Sequence, residues 1–190
     1  MPTDHSRDLR RILAANASFM AILRALRAAA LPQGCVGAGA VRSLVWDALH
    51  GRSQWTMRGD VDVAYFDGTD LSVASQSAYL ARLRRIEPDA PWEVVNQAGV
   101  HLWYERHFGF AVAPLSSVEE AIATWPEYAS CVAVRLEANG WLDIVAPWGL
   151  DDLFSMTVRH NPTRARLDQY HRRIHAKRYA EQWPNVTVVV

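Results

Sequence analysis

The run Gly59-Asp60-Val61-Asp62-Val63 has the residue types and spacing for metal-assisted chemistry. Successive side chains of a strand point to opposite faces, so Asp60 and Asp62 share one face while Val61 and Val63 turn to a core. Carboxylates about 7 Å apart along a strand can converge on a divalent ion. Hard oxygen donors favour magnesium, which is usually shared with substrate phosphates. Without an ion, two aligned like charges repel and stabilise nothing. The plainer alternative is a pair that faces water or meets an arginine such as Arg58.

Upstream, Val36-Gly37-Ala38-Gly39-Ala40-Val41-Arg42 has the form of a strand–glycine–helix junction. Glycine there lets backbone approach a phosphate, and a helix start offers free amides and a positive dipole end. Arg42, on the first turn, adds a forked contact for the same phosphates. Many tight strand-to-helix turns need glycine for packing alone. An anion cradle followed by an acid pair is the more specific combination.

These residues need a scaffold, and the remaining pattern supplies one. Leu9, Ile12, Leu13, Met20, Leu23 and Leu26 recur at helical spacing and predict one amphipathic N-terminal helix over residues 1–31. A short strand starts at Cys35, and Ala40 to Leu49 reads as a second helix. Asp60 to Phe66 alternates like a strand with one wet face, and Asp67-Gly68 turns the chain. Leu71 to Ile86 reads as helix, Trp92 to Val95 as strand, and Ser117 with Glu120 as a capping box. Asn139-Gly140 predicts a two-residue hairpin turn. Gly149 to Phe154 and a basic stretch from Thr163 to Gln182 predict terminal helices. The fold class is α+β, one domain over 1–190, with a mixed sheet core over 35–150 and a helical segment over 151–190.

Composition narrows the function classes. Half of the 190 residues are hydrophobic and 21% are charged, so a core can form. Twenty basic and twenty acidic residues cancel, so no global field argues for nucleic acid or an anionic membrane. Cys35 and Cys131 form no CxxC pair, which suits a reducing compartment. No stretch approaches the roughly 18 apolar residues of a membrane span. The expectation is a cytoplasmic protein without a membrane partner.

Ala38-Gly39-Ala40-Val41-Arg42 followed by Gly59-Asp60-Val61-Asp62-Val63 resembles the signature of the polymerase-β-type nucleotidyltransferase superfamily. The Gly-Ala-Val-Arg run is similar to the start of tRNA CCA-adding enzymes. The strings Trp92 to Ala98, Gly149 to Phe154 and Trp183-Pro184 are similar to a bacterial branch of that superfamily. The resemblance implies a mixed sheet with the acid pair on its second strand. It also implies magnesium-dependent transfer of an NMP from an NTP to an acceptor, with Asp60 and Asp62 as metal ligands. Gly37, Gly39, Ala40 and Arg42 would form the phosphate cradle. Ala40 stands where many members carry Gly or Ser, which removes a hydroxyl contact.

Such enzymes also carry a third carboxylate, because the acceptor hydroxyl must lose a proton beside the metal. Glu93, in a Trp-Glu-Val-Val strand after one helix, is the first choice. Asp143 competes, because a two-residue turn at Asn139-Gly140 puts it opposite Leu136 in an apolar layer, where an acid needs a partner or a purpose. Asn96, Gln97 and His101 are candidates for an acceptor or base pocket, Asn96 also for a helix cap. His171 and His175 read as a solvated pair. Arg172, Arg173, Lys177 and Arg178 form a basic face that is solvated or meets triphosphate or RNA. Trp46, Trp55, Trp103 and Trp148 read as core or cleft walls. The chain leaves little room for a large RNA-binding domain, so a small acceptor is expected and nucleic acid is disfavoured. A silent nucleotide-binding module and an interaction protein of the same fold remain alternatives.

Overall fold

The computed structural model describes residues 5–57 and 59–190. The expected first helix is two helices, α1 (His5–Ala15) and α2 (Ala17–Ala29). Asn16 between them is extended, and its side chain accepts a hydrogen bond from the Phe19 amide at 2.9 Å. That cap, worth about 1 kcal/mol, starts a new helix, and the two axes meet at 94°. The bend lets Leu9 and Leu13 of α1 and Phe19, Leu23 and Leu26 of α2 enter one core.

Strand β1 (Cys35–Gly37) runs straight into α3 (Ala38–Leu49), followed by β2 (Val61–Tyr65), α4 (Val73–Ile86) and β3 (Trp92–Asn96). Next come α5 (His101–Phe108), for which the sequence reading had no element, and α6 (Val118–Ala123). Strands β4 (Ala133–Leu136) and β5 (Leu142–Val145) form a hairpin, followed by α7 (Asp151–Phe154) and β6 (Thr157–Val158). The expected C-terminal helix is α8 (Leu167–Lys177) and α9 (Tyr179–Gln182), separated by Arg178 at φ 49°. β7 (Thr187–Val188) then pairs with β6.

The main sheet has the order β3-β2-β1-β4-β5, and β2–β3, joined through α4, is its parallel pair. Alternation sorts its faces. Val36, Val61, Val63, Val94 and Val134 join α1–α4 in the large core. On the opposite face Cys35, Ala64, Ala133 and Val145 pack on Val118 and Ile122 of α6. Toward β2 and β3 this second face is left open.

The hairpin differs from the expected register by one residue. Leu136 pairs with Leu142, and the Glu137 amide donates to the Trp141 carbonyl at 2.8 Å. Three residues therefore turn the chain, with Gly140 at φ 84° in the left-handed position such a loop requires. Asp143 consequently sits opposite Arg135, not Leu136. At Ser117 half of the expected capping box forms. Ser117 accepts from the Glu120 amide at 3.1 Å, while the Glu120 carboxylate turns to Ser116. No single described helix is long and apolar enough to cross a membrane.

Candidate active site

The open part of the sheet is a cavity of about 390 Å³. Asp60, Asp62 and Glu93 line it on the sheet side, and Arg173 and Lys177 reach it from α8. Asp62 is on β2, and Asp60 lies just before the strand, exposed. Glu93 is the register partner of Asp62 on β3. A parallel pair places such partners on the same face of neighbouring strands, about 4.8 Å apart. Expected Asp60, Asp62 and Glu93 are thus brought together.

The environment works against ionising Asp62 and Glu93. Burial pushes the Asp62 carboxyl above its ordinary value, and Asp60 adds repulsion, while the Gly39 amide and Arg173 oppose the rise. Glu93 is also raised, first by burial and then by Asp62 and Asp60. None of the three acids forms an ion pair with another described residue. Arg58, the expected partner of the acid pair, lies outside the described residues. A cation would relieve this repulsion, and the all-oxygen donor set suits magnesium. No group of three or more His, Cys, Asp or Glu among the described residues is arranged to hold an ion without other ligands.

Asp143 is elsewhere. It is not part of the cavity lining, and it takes two contacts from Arg135, at 2.8 Å and 2.7 Å. The one-residue change of hairpin register gave it a partner and removed it from the candidates for third acid.

The glycine junction divides its roles unevenly. Ala38 takes φ 49° as the chain leaves β1, an unusual conformation for a residue with a side chain. Gly39 lines the cavity, and a Cβ there would stand 3.7 Å from Oδ2 of Asp62. Gly37 is a packing glycine, because a Cβ would lie 2.6 Å from the Trp125 ring and 2.8 Å from Ala133. Ala40 is buried in the large core. Of the expected cradle, Gly39 and Arg42 reach the cavity, whereas Gly37 and Ala40 serve packing.

Arg42 is buried, and its Nη1 donates to Ser130 Oγ and to Glu127 Oε2, the latter at 3.4 Å. Its Nε is buried without a partner. Arg173 donates from Nε to Glu127 Oε1 at 2.8 Å. Lys177, one turn further on, is pushed below its ordinary value by burial and then by Arg173 and Arg42. The basic face splits in the structure. Arg172 pairs with Asp168 and Arg178 with Glu181, while Arg173 and Lys177 line the cavity. Sequence reasoning missed Glu127; its one signal is a lone acid ahead of the apolar run from Cys131 to Val134.

The far wall is aromatic. Val100, Trp103, Tyr104 and Phe108 of α5 and its preceding turn line the cavity, and Arg164 lies over the Tyr104 ring at 5.4 Å. Trp103 is 44% exposed, so its face is available to a ligand. Trp46, Trp55 and Trp148 instead donate to Leu153, Ser43 and Ala123. Gln97 lines the cavity, whereas Asn96 is buried and braces the 67–70 loop, with bonds from the Asp67 amide and to the Asp67 and Asp70 carbonyls. His101, His171 and His175 are outside the lining.

Comparison with known proteins agrees with this geometry. A family model described as "Nucleotidyltransferase" matches residues 24–188. A solved structure described as "The NMR structure of the protein reveals a CCA-adding enzyme head domain" superposes with a TM-score of 0.79 at 28% identity, over 95% of each chain. No curated protein matches. With an α+β mixed sheet and a match over most of its length, the chain belongs to the nucleotidyltransferase family.

Proposed function

We propose that this nucleotidyltransferase uses magnesium to move an NMP from an NTP to a small hydroxyl-bearing acceptor. The observation that carries the reading is the pairing of Asp62 with Glu93 inside a cavity whose other side presents Arg173 and Lys177. Asp60 and Asp62 are the metal-binding carboxylates. Magnesium held there supplies neutralisation of phosphate charge and polarisation of the phosphoryl oxygens. The backbone at Gly39 with Arg42, Arg173 and Lys177 holds the triphosphate. Lys177 and Arg173 meet the charge that grows on the departing pyrophosphate. Glu93 accepts the proton of the acceptor hydroxyl as that oxygen attacks the α-phosphorus in line. Its raised affinity for a proton suits that task. Trp103 and Tyr104 offer a flat wall for the base.

A second reading has a nucleic-acid 3′ end as acceptor. The likeness to a CCA-adding head domain favours it, together with the cavity rim, where Arg164 lies over Tyr104 and Arg166 over Phe110. Aromatic faces interleaved with arginines are how single strands are commonly held.

The test is thermal stability against the four NTPs, with and without magnesium, in wild type and in Asp60→Ala/Asp62→Ala. A magnesium-dependent rise with an NTP, absent from the double variant, supports the site. No shift with any NTP at millimolar concentration overturns it. Pyrophosphate release with small hydroxyl compounds against short RNA oligonucleotides then separates the two acceptor classes.

A further inference from the structure

Among the described residues four cationic side chains line the cavity, and two of them, Arg42 and Arg173, rest on a carboxylate that is outside the lining. That carboxylate is Glu127, 1% exposed, on the loop between α6 and β4. Its Oε1 accepts from Arg173 Nε at 2.8 Å and from the Tyr179 hydroxyl at 2.7 Å. Its Oε2 accepts from Ser130 Oγ at 2.8 Å and from Arg42 Nη1 at 3.4 Å. Burial pushes this carboxyl up, but Arg173, Arg42 and the Tyr179 hydroxyl outweigh it and hold it below its ordinary value, as an anion. The Arg42 guanidinium also lies over the rings of Tyr179 and Trp46, at 4.8 Å and 5.2 Å. One loop residue thus ties α3, α8 and α9 together where the sheet opens.

A negative charge behind an anion site needs a reason, since on charge alone it weakens binding of any polyphosphate. The reason lies in entropy. A free arginine gives up rotamer freedom when it grips a ligand, and two arginines beside Lys177 would also repel each other apart. With Glu127 beneath them, both are ordered before the ligand arrives. One carboxylate for two guanidiniums still leaves a positive excess facing the cavity, and the Arg42 Nε is left with an unused donor.

We propose that Glu127 is a positioning residue, which holds Arg42 and Arg173 as a preformed clamp for the triphosphate of the nucleotide donor. The proposal rests on the reading of the cavity given above. Its consequence runs opposite to simple electrostatics. Glu127→Gln makes the site more positive and yet weakens polyphosphate binding.

The experiment is calorimetric titration of the full chain with inorganic tripolyphosphate, and separately with magnesium and each NTP. The variants are Glu127→Gln, Ser130→Ala and Tyr179→Phe. Glu127→Gln is expected to bind tripolyphosphate about tenfold or more weakly, the loss of one charge-assisted contact. The Nε–H of Arg173, which donates to Glu127 Oε1, should exchange with solvent faster in Glu127→Gln than in wild type, which a general loosening elsewhere would not produce. Ser130→Ala and Tyr179→Phe keep the charge and each remove one donor to Glu127, so a loss of a few-fold is expected; they decide the matter if Glu127→Gln does not fold. Tripolyphosphate binding in Glu127→Gln as tight as wild type, or tighter, overturns the clamp alone. So does wild-type binding in both milder variants. If the wild type binds neither tripolyphosphate nor any NTP, the reading of the cavity falls and the clamp falls with it.

Discussion

Asp62 and Glu93 face each other across β2 and β3, the parallel pair of the main sheet, as direct register partners. Two carboxylates on adjacent strands are unfavourable for the sheet itself. Their placement is a cost to stability, of the kind that repelling groups gathered at a functional site impose.

The first prediction follows from that cost. The Asp62 carboxyl is raised in the folded protein, by burial first. A raised folded value means the stability contribution is present below the ordinary carboxylate range and is lost as pH rises through the raised value. Asp62→Asn should therefore raise the melting temperature of the ligand-free protein near neutral pH, with the gain shrinking toward acid pH. The same change should lower nucleotide transfer by about a thousandfold or more if Asp62 holds the metal as proposed. Calorimetric scans over pH, set beside pyrophosphate release, check both halves.

Glu93 should shape the pH dependence of turnover. As the proposed base it must be deprotonated, and its raised value should move the acid limb of kcat above the usual glutamate range. Glu93→Gln should cut kcat by about a hundredfold or more and flatten that limb, with NTP binding retained. Glu93→Gln that keeps the wild-type profile would remove it as the base.

The two glycines of the junction should respond oppositely. In Gly37→Ala the new Cβ meets the Trp125 ring at 2.6 Å and Ala133 at 2.8 Å, so the fold should lose about 1–3 kcal/mol. In Gly39→Ala the nearest atom is at 3.7 Å, an ordinary contact, so stability should hold. The added methyl stands beside Asp62 in the cavity, and NTP binding should weaken. Denaturant melts and NTP titrations of the two variants give the comparison.

Trp103 tests the aromatic wall. Its side chain is 44% exposed, so Trp103→Ala should lower the melting temperature less than truncation of a buried tryptophan such as Trp46. A base that stacks on it loses about 1–3 kcal/mol, and KM for the NTP should rise about tenfold with kcat less affected. An unchanged KM would send the base to another wall of the cavity.

Much of this protein is local and was legible in residue order. The alternation around Asp62 placed the acid on a wet face, because strand side chains have a period of two. Glu93 was found by its strand, and the strand-to-helix step at Gly39 by its glycine. Helical spacing found most of α1 to α4, although the Asn16 cap that parts α1 from α2 was read as helix interior, since a single polar residue interrupts an apolar stripe without ending it. What sequence could not supply was register and long-range partnership. One residue of hairpin length moved Asp143 from Leu136 to Arg135, since turn geometry and not composition sets pairing. The division of Arg173 and Lys177 from Arg172 and Arg178 depends on how α8 lies against the sheet. Glu127 shows little along the chain beyond a lone acid ahead of an apolar run, because its partners Arg42, Arg173 and Tyr179 come from separate segments and only Ser130 is a near neighbour. Residue types and their periods decided which chemistry was available. The meeting of those segments around one buried charge, a matter of packing and desolvation, decided where that chemistry is held.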